Sequence, residues 1–484
     1  MTSLRLLEHH RFEAAGKPFV YLVPSAAIFA LDPIADAILR LLGVNPLTVE
    51  KVVSALQTAF DPSHVESTLR ELVSVRAIGE TVAQPVRAPK VIPLTPFPLT
   101  TMVLNVTNQC NLSCTYCYEY GADKIVDTVN GKAPKFMTEE TARQSVDFML
   151  KESGANPVVY LTFFGGETLM NFPVLTRTVT YARNRAAECG KRVYFSLTTN
   201  ATLLKPETIE FLADNDIGVT ISIDGPPEIQ DRFRVFQNGR GSYDLVAPKI
   251  KALLARHKSR PIGARVTLAS GTVDVMRIFR HLTDELGFAE VGFAPATAAP
   301  GRDHAIPPDG FADMLAQFRE LGEEFLEYAV AGRTHAFSNV KETLEEIHKG
   351  MTKAFPCGAG LGLMGVSTGG DVALCHRFAG SDDHKLGTVH EGIDRTAQRQ
   401  FLEKHHVDTK TDCRSCWARP LCSGGCYHEA HTHYGDTARP NLHYCGWIRG
   451  WTDVCLRIYG ELSERNPAFL AQFDREPIAA EPVS

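Results

Sequence analysis

The sequence predicts an α/β protein whose middle part is a parallel sheet, with a small module before it and a cysteine-rich domain after it. Two patterns carry this prediction. Strand and helix segments alternate over residues 100–330, and three plus seven of the 12 cysteines form two groups. Repeated βα units form a partial barrel or an open doubly wound sheet, and both bind ligands at the carboxyl ends of their strands. We therefore expect the functional residues at that edge.

The composition and the ends of the chain exclude several classes of protein. The 484 residues are 44% hydrophobic and 22% charged, which is typical of globular domains. The formal net charge of −6 does not suggest a nucleic-acid partner. The N-terminus lacks a secretory signal, and no run of about 18 apolar residues predicts a membrane span. We expect a cytoplasmic protein without a membrane partner, where clustered cysteines bind metal or carry redox chemistry.

Residues 1–84 form a separate unit in the pattern. Two short strands are predicted at 19–23 and 27–31, and helices are predicted to begin near Asp32, Val49 and Asp61. Asp32 and Asp61 each precede a proline, which is the usual order of an N-cap and a first helical residue. The pattern suits a winged-helix-like module or a generic helical subdomain. The prolines in residues 85–99 then predict an extended linker.

The next region contains the repeated units. Strands are predicted at 101–106, 158–163, 193–198, 218–223, 263–268 and 290–293, and helices near 138–153, 173–188, 206–214, 245–257 and 273–286. Residues 331–462 are rich in glycine and cysteine and weakly patterned, which indicates a domain held by metal rather than by a large core. Residues 463–484 are predicted to be a mobile tail.

The first cysteine group is Cys110, Cys114 and Cys117, a C-x3-C-x2-C pattern directly after the first predicted strand. Three thiolates on one loop can hold three irons of a cubane cluster and leave the fourth iron without a protein ligand. A structural zinc site would need a fourth nearby ligand, which this loop lacks. The spacing therefore favours an iron–sulfur cluster with an open position.

The segment from Cys110 to Cys117 resembles the signature of radical S-adenosylmethionine (SAM) enzymes. The resemblance implies a partial (β/α)6 barrel and a [4Fe-4S] cluster whose open iron chelates SAM, so that its cleavage gives a radical that abstracts a hydrogen atom. It also implies SAM contacts at the strand ends: Tyr116, Gly165, Gly166, Glu167, Asn200, Ser222, Asp224 and Arg265. Tyr116 is expected near the adenine and Glu167 at the ammonium group. Arg265 is equally well explained as a barrel ion pair.

The second cysteine group has seven members, too many for one four-ligand site and one too few for two: Cys357, Cys375, Cys413, Cys416, Cys422, Cys426 and Cys445. A zinc site is the alternative, because C-x2-C is a common zinc spacing and histidines lie nearby. The segment resembles the SPASM domain, which carries two auxiliary [4Fe-4S] clusters. That resemblance assigns Cys413, Cys416, Cys422 and Cys445 to one cluster and Cys357, Cys375 and Cys426 to the other. Cys455 is either its fourth ligand or a buried free thiol.

Two departures from the related anaerobic sulfatase-maturing enzymes distinguish this chain. Those enzymes have an extra cysteine shortly after the position of Cys357, and an acidic residue where this chain has His376. An iron without a protein ligand can bind a substrate thiolate, since thiolates are its usual ligands. The sequence therefore favours an enzyme that forms thioether bonds over a sulfatase maturase.

The N-terminal unit resembles the recognition element of peptide-modifying enzymes, which binds an extended peptide on a strand edge. The whole chain resembles the maturation enzymes of quinohemoprotein amine dehydrogenase. These join cysteine sulfur to the methylene carbon of Asp or Glu within a small γ subunit. The resemblance implies SAM, three [4Fe-4S] clusters, a small Cys- and Asp/Glu-rich substrate and a flavodoxin or ferredoxin as electron donor. The alternatives are a sactipeptide-type maturase, a sulfatase-maturing enzyme and a non-enzymatic zinc protein that binds peptides.

Overall fold

A computed structural model describes residues 3–81, 97–126 and 134–474 of the chain. Most of the predicted linker, residues 85–96, lies outside the described residues. The end of the predicted tail, residues 475–484, lies outside them as well.

The N-terminal module consists of five short strands and three helices. The strands are Leu4–Leu6 (β1), His9–Ala14 (β2), Lys17–Leu22 (β3), Ala27–Ala30 (β4) and Ile78–Glu80 (β5), and the helices are Pro33–Val44 (α1), Val49–Leu56 (α2) and Pro62–Ser74 (α3). Strands β2, β3 and β4 form an antiparallel sheet, and β1 pairs with β5. Asp32 and Asp61 cap α1 and α3 as the sequence predicts. Strand β2 was not predicted, because its sequence begins with polar residues.

The predicted six-stranded parallel sheet is confirmed. Its strands are Thr101–Thr107 (β6), Val158–Gly165 (β7), Arg192–Thr199 (β8), Gly218–Ser222 (β9), Gly263–Leu268 (β10) and Glu290–Pro295 (β11). The connecting helices are Glu139–Glu152 (α4), Phe172–Glu188 (α5), Pro206–Asp214 (α6), Pro227–Phe233 (α7), Tyr243–Arg256 (α8) and Val275–Arg280 (α9). Each strand lies beside the next one in the chain, so all six carboxyl ends meet at one edge.

The sheet continues into the C-terminal domain. Strand Leu363–Val366 (β12) pairs parallel with β6, and Asp371–Ala373 (β13), Lys385–Thr388 (β14) and Gly392–Ile393 (β15) follow as antiparallel neighbours. After β13 the chain crosses the face of the sheet at Gly365, where an added Cβ would lie 2.4 Å from the carbonyl carbon of Cys375. The close approach requires glycine and brings Cys375 over the barrel.

The remaining helices form much of the C-terminal domain. They are Pro308–Val330 (α10), Ser338–His348 (α11), Arg395–His405 (α12), Arg419–Cys422 (α13), Tyr427–Tyr434 (α14), Cys445–Arg465 (α15) and Pro467–Leu470 (α16). Helix α15 buries Trp451, Cys455 and Ile458 in the main core. The expectation that this domain lacks a large core is therefore wrong. The prediction of a mobile tail is also wrong up to residue 474, because Leu470 and Phe473 are buried. Within the described residues, no helix is both long and apolar enough to cross a membrane.

Candidate active site and cluster-binding cysteines

The first cysteine group lies on the loop that leaves the carboxyl end of β6. The thiols of Cys110, Cys114 and Cys117 lie close enough to interact electrostatically with one another. Burial raises the pKa of Cys110 to about 12 and that of Cys114 to about 11. Coordination to a metal deprotonates a thiol outright, so buried neutral thiols are suited to holding a cluster.

The ligands of a cluster and the ligands of a single metal ion differ in their geometry. Among the described residues, no three Cys, His, Asp or Glu side chains converge as the ligands of one metal ion do. The thiolates of a cubane cluster each bind a different iron, so they do not meet at one point.

Gly165 and Gly166 hold the cysteine loop against the end of β7. An added Cβ would lie 2.1 Å from the carbonyl oxygen of Thr107 at Gly165, and 2.2 Å from that of Gln109 at Gly166. The Gly166 amide donates to the Thr107 carbonyl over 3.0 Å. The sequence suggested that these glycines give room to the cofactor. The structure shows that they give room to the backbone that leads to Cys110, and their contact with SAM stays a prediction.

Glu167 is fully buried and links the ends of two strands. Its carboxylate accepts hydrogen bonds from the Thr199 hydroxyl at 2.6 Å and the Asn200 amide at 2.8 Å. It also accepts from the Leu169 amide at 3.0 Å. Burial raises the pKa of Glu167, while these three donors stabilise its charged form. Both carboxylate oxygens of Glu167 therefore already accept hydrogen bonds from the protein. The expected contact of Glu167 with the SAM ammonium group stays a prediction.

Asn200 connects Glu167 to the cysteine loop through hydrogen bonds. Its side-chain amide donates to the Cys110 sulfur over 3.8 Å and to the Asn111 side-chain oxygen over 3.1 Å. Its own side-chain oxygen accepts from the amide and the hydroxyl of Thr202. Asn200 therefore lies where it can donate a hydrogen bond to a sulfur ligand of a cluster. Hydrogen bonds of this kind tune the reduction potential of iron–sulfur clusters.

Tyr116, Asp224 and Arg234 form a buried group behind the loop. The Tyr116 hydroxyl donates to the Asp224 carboxylate, and Nε of Arg234 lies 3.0 Å from the same oxygen. The Arg234 guanidinium lies 5.5 Å from the centre of the Tyr116 ring. The Thr267 amide donates to the other Asp224 oxygen over 3.0 Å. Asp224 therefore positions Tyr116, and its expected contact with SAM stays a prediction.

Arg234 was missed by the sequence analysis. Arg234 directly follows the last residue of α7 and lies ten residues after Asp224 in the chain. No local pattern in the sequence indicates that these two residues pair. Its charge also acts on the Cys114 thiol and lowers the pKa that burial raises. A buried arginine beside three thiolates offsets part of their negative charge.

Ser222 and Arg265 lie opposite each other in neighbouring strands β9 and β10. An added Cβ at Gly292 in β11 would lie 3.3 Å from a terminal nitrogen of Arg265. The charge of Glu342 acts on Arg265 and partly offsets the lowering of its pKa by burial. Of the two interpretations of Arg265, this favours the barrel ion pair.

The structure brings the seven C-terminal cysteines together in two sets. The thiols of Cys357, Cys375 and Cys426 interact electrostatically in one set. The other set contains Cys413, Cys416, Cys422 and Cys445. Burial raises the pKa of both Cys357 and Cys413 to about 11. These are the sets that the SPASM resemblance implies.

Two cysteines stand apart from these sets. Cys455 is fully buried in α15, where its thiol bonds to Thr343, so the structure favours a core thiol over a fourth ligand. Cys189 is exposed at the C-terminal end of α5.

A polar contact connects the two cysteine regions. The Arg377 guanidinium lies 4.7 Å from the centre of the Tyr118 ring, and Tyr118 directly follows Cys117. Arg377 also donates to the Thr297 hydroxyl over 2.9 Å and interacts electrostatically with the thiols of Cys375 and Cys426. The set with three cysteines therefore lies beside the loop of the first cysteine group.

The comparison with family models defines the class of the central domain. Residues 104–289 match the model of the Radical SAM superfamily. The segment from β6 to the start of β11 is therefore a radical SAM domain, and the protein is an enzyme. A domain of this class implies SAM and a [4Fe-4S] cluster as cofactors. The non-enzymatic alternative is thereby wrong.

Individual relatives extend this result. An uncharacterized protein of Methanocaldococcus jannaschii is 36% identical over 141 residues, which are 29% of this chain and 44% of that protein, so the match spans less than half of that relative. A serine-type anaerobic sulfatase-maturating enzyme of Bacteroides thetaiotaomicron is 26% identical over 379 residues, 72% of this chain and 86% of the enzyme.

Solved structures show the same fold. Native anSMEcpe with bound AdoMet has a TM-score of 0.63 at 21% identity and covers 78% of this chain and 100% of that chain. Native anSMEcpe with bound AdoMet and Cp18Cys peptide has a TM-score of 0.62 at 20% identity and covers 78% and 99%.

Proposed function

We propose that this protein is a radical SAM maturase that forms intra-peptidyl thioether bonds. The bonds would join cysteine sulfur to the methylene carbon of Asp or Glu in a small protein substrate, of the kind represented by the γ subunit of quinohemoprotein amine dehydrogenase. The observation that carries the proposal is the set Cys357, Cys375 and Cys426, which has three thiols and lies beside the first cysteine loop. Such a set leaves one iron of a cluster for a substrate thiolate.

The first cysteine loop would hold the radical-generating cofactors. Cys110, Cys114 and Cys117 would ligate three irons, and with SAM bound the site supplies the radical that abstracts a substrate hydrogen. The chain itself positions the loop through Asn200 and holds Tyr116 rigid through Asp224 and Arg234. Rigid support of this kind is what precise orientation of a reacting group requires.

The C-terminal sets would hold two auxiliary [4Fe-4S] clusters. Arg377 lies beside the thiols of Cys375 and Cys426, where its charge opposes the negative charge that a further thiolate adds. In the overall reaction one S–H bond and one C–H bond break and one C–S bond forms. A hydrogen atom would pass to the radical derived from SAM and the thiol proton would pass to a base, and the C-terminal cysteine sets with their clusters would supply an acceptor for the remaining electron.

The N-terminal module would bind the substrate peptide. Within the described residues β4 pairs with β3 on one side only, and Phe29 of β4 is exposed. An open strand edge of this kind can pair with an extended peptide. The peptide bound in the related anSMEcpe structure agrees with a peptide or protein substrate. A flavodoxin or a ferredoxin would deliver the electron for SAM cleavage.

Coexpression with a Cys- and Asp/Glu-rich peptide under anaerobic conditions tests the proposal. We expect the peptide mass to fall by two hydrogens for each crosslink, and fragmentation to place the bond on the methylene carbon. A bond to an α-carbon would identify a sactipeptide-type maturase instead. An unchanged mass with fully loaded enzyme that cleaves SAM would contradict both.

The second candidate function is sulfatase maturation. The observation in its favour is the similarity along 86% of a serine-type anaerobic sulfatase-maturating enzyme. Incubation with sulfatase-derived peptides that carry serine or cysteine at the modified position tests it. Modification of those peptides, without crosslinking of the Cys- and Asp/Glu-rich peptide, would favour this candidate.

A further inference from the structure

The buried amine of Lys410 lies between the two C-terminal cysteine sets. The side chain is only 4% exposed, and its ammonium donates to the carbonyl of Ser423 over 3.2 Å. Ser423 belongs to the segment 422–426, which begins with Cys422 of the four-cysteine set and ends with Cys426 of the three-cysteine set. This segment is the shortest covalent connection between the sets, and the lysine rests on its middle.

The segment is shaped around this ammonium. Gly424 adopts a φ of +90°, and an added Cβ there would lie 2.6 Å from Nζ of Lys410. Any other residue would therefore be strained and would also displace the amine. On the other side, the ring centre of Tyr427 lies 5.7 Å from Nζ, within range of a cation–π contact.

The titratable groups that interact with Lys410 are mainly thiols. The groups that act on it electrostatically are, from strongest to weakest, Cys413, Cys422, Cys357 and the carboxylate of Asp436. The first two thiols belong to the four-cysteine set and the third to the three-cysteine set. Lys410 is therefore one buried cation that acts on thiols of both sets. Salt and solvent screen its charge only weakly, because the residue is buried.

We propose that Lys410 is a positioning residue for electron transfer, whose charge raises the reduction potentials of both auxiliary clusters. The inference rests on the proposed function, because it requires that the two cysteine sets hold clusters. Each reduction adds one negative charge to a cluster, and a nearby cation stabilises the charged form. Cluster potentials depend on net charge, hydrogen bonds and solvent exposure. Lys410, which is itself buried, contributes a positive charge beside both cysteine sets.

The test is a redox titration of the auxiliary clusters followed by electron paramagnetic resonance. All variants are made in the full chain with Cys110, Cys114 and Cys117 changed to alanine, so that only auxiliary clusters contribute. We expect Lys410→Met to lower the ratio of reduced to oxidised cluster about tenfold at the parent's midpoint, which equals 59 mV for one electron. The matched control is Lys404→Met, which removes an exposed lysine that lies 3.3 Å from Asp436.

Iron and sulfide analysis distinguishes a failure of the cluster assignment from a failure of the role proposed for Lys410. A parent protein with fewer than two auxiliary clusters would refute the cluster assignment in the proposed function. Two clusters with unchanged potentials in Lys410→Met, or an equal shift in Lys404→Met, would refute the role of Lys410 alone. If Lys410→Met fails to load iron, Lys410→Arg and Lys410→Gln replace it. Equal potentials in that pair at equal iron content would overturn the inference.

Discussion

The imidazole of His10 stacks on the indole of Trp417, with ring centres 3.7 Å apart and planes 7° apart. Trp417 directly follows Cys416, so a strand of the N-terminal module contacts the loop of one cysteine set. His10 is also 2.7 Å from the carboxylate of Asp453 on α15. At Gly460 of the same helix an added Cβ would lie 2.7 Å from that of Ala14. The N-terminal module is therefore fixed to the C-terminal domain by direct side-chain and backbone contacts.

This stack should be measurable as a coupling energy. We expect His10→Ala and Trp417→Ala each to lower the stability of the protein. Their double-mutant cycle should show a coupling of about 0.5–1.5 kcal/mol, the usual value for an aromatic pair. The measurement is chemical denaturation followed by tryptophan fluorescence and circular dichroism. Additive effects of the two changes would show that the rings contribute independently.

The Glu167–Asn200 connection predicts an effect on cluster loading. In Glu167→Gln one acceptor oxygen becomes an NH2 group, which then faces the Thr199 hydroxyl or the Asn200 amide. We expect a destabilisation of about 1–3 kcal/mol, since a buried donor loses its partner. The iron retained at the first cysteine group should fall as well. Glu207→Gln, at an exposed position in the first turn of α6, should change neither thermal unfolding nor iron content.

The buried pair Asp224 and Arg234 should be far more sensitive than an exposed pair. Arg234→Met leaves the Asp224 charge uncompensated in the core, so we expect a loss of about 3–5 kcal/mol in unfolding free energy. The combined change Arg234→Met and Asp224→Asn should recover part of that loss. The exposed pair of Arg277 and Glu228 is the comparison, and Arg277→Met should cost about 0–1 kcal/mol. Similar costs at both sites would contradict the buried arrangement.

His405 predicts a loss of stability in mild acid. Its Nδ1 donates to the Phe401 carbonyl over 2.6 Å, and its Nε2 accepts from the Thr437 hydroxyl over 2.8 Å, which is the neutral form. Burial lowers its pKa to about 4 from 6.5. The unfolded chain therefore binds the proton first, and stability falls as pH drops from 6.5 towards 4.

His405→Gln tests this assignment by removing the titrating group. Midpoints of urea unfolding at pH 7 and pH 5 should differ less in the variant than in the parent. A variant with the full pH dependence of the parent would assign the acid sensitivity to other groups.

The first cysteine group should be separable from substrate binding. Changing Cys110, Cys114 and Cys117 to alanine should abolish SAM cleavage and remove the iron of one cluster. Peptide affinity, measured by fluorescence anisotropy, should remain within about twofold of the parent, since the N-terminal module is remote in sequence from these cysteines and its helices pack around a core of their own. Loss of peptide binding in a fully folded triple variant would show that the peptide depends on the first cluster.

Local signals in the sequence predicted much of this structure. The nearly continuous apolar run of β7 and the alternating apolar residues of β10 indicate strands without reference to any neighbour. The Asp–Pro pairs at 32–33 and 61–62 start helices through contacts within a few residues. The two sets of C-terminal thiols that interact in the structure are those that the SPASM resemblance implies, and their role as cluster ligands stays a prediction. Each of these signals lies within a short stretch of chain.

The partners of Asp224 and Glu167 could not be predicted from the sequence. Asp224 and Glu167 were assigned to the cofactor because they end strands, yet their oxygens are bonded to Tyr116 and Asn200. A carboxylate at a strand end can face a ligand or another loop, and its position in the sequence does not distinguish these. The partner that decides the matter comes from a different βα unit in each case.

The sequence by itself determined the α/β class, the positions of the six parallel strands along the chain and the two groups of cysteines. Hydrophobic periodicity, helix capping and ligand spacing are short-range properties, so these features can be read in one dimension. Only the tertiary structure decided that β12 extends the barrel sheet, that Arg234 pairs with Asp224, and that Lys410 lies between two cysteine sets. Those relationships join residues brought together only when the core forms, and burial then makes their charges and hydrogen bonds matter.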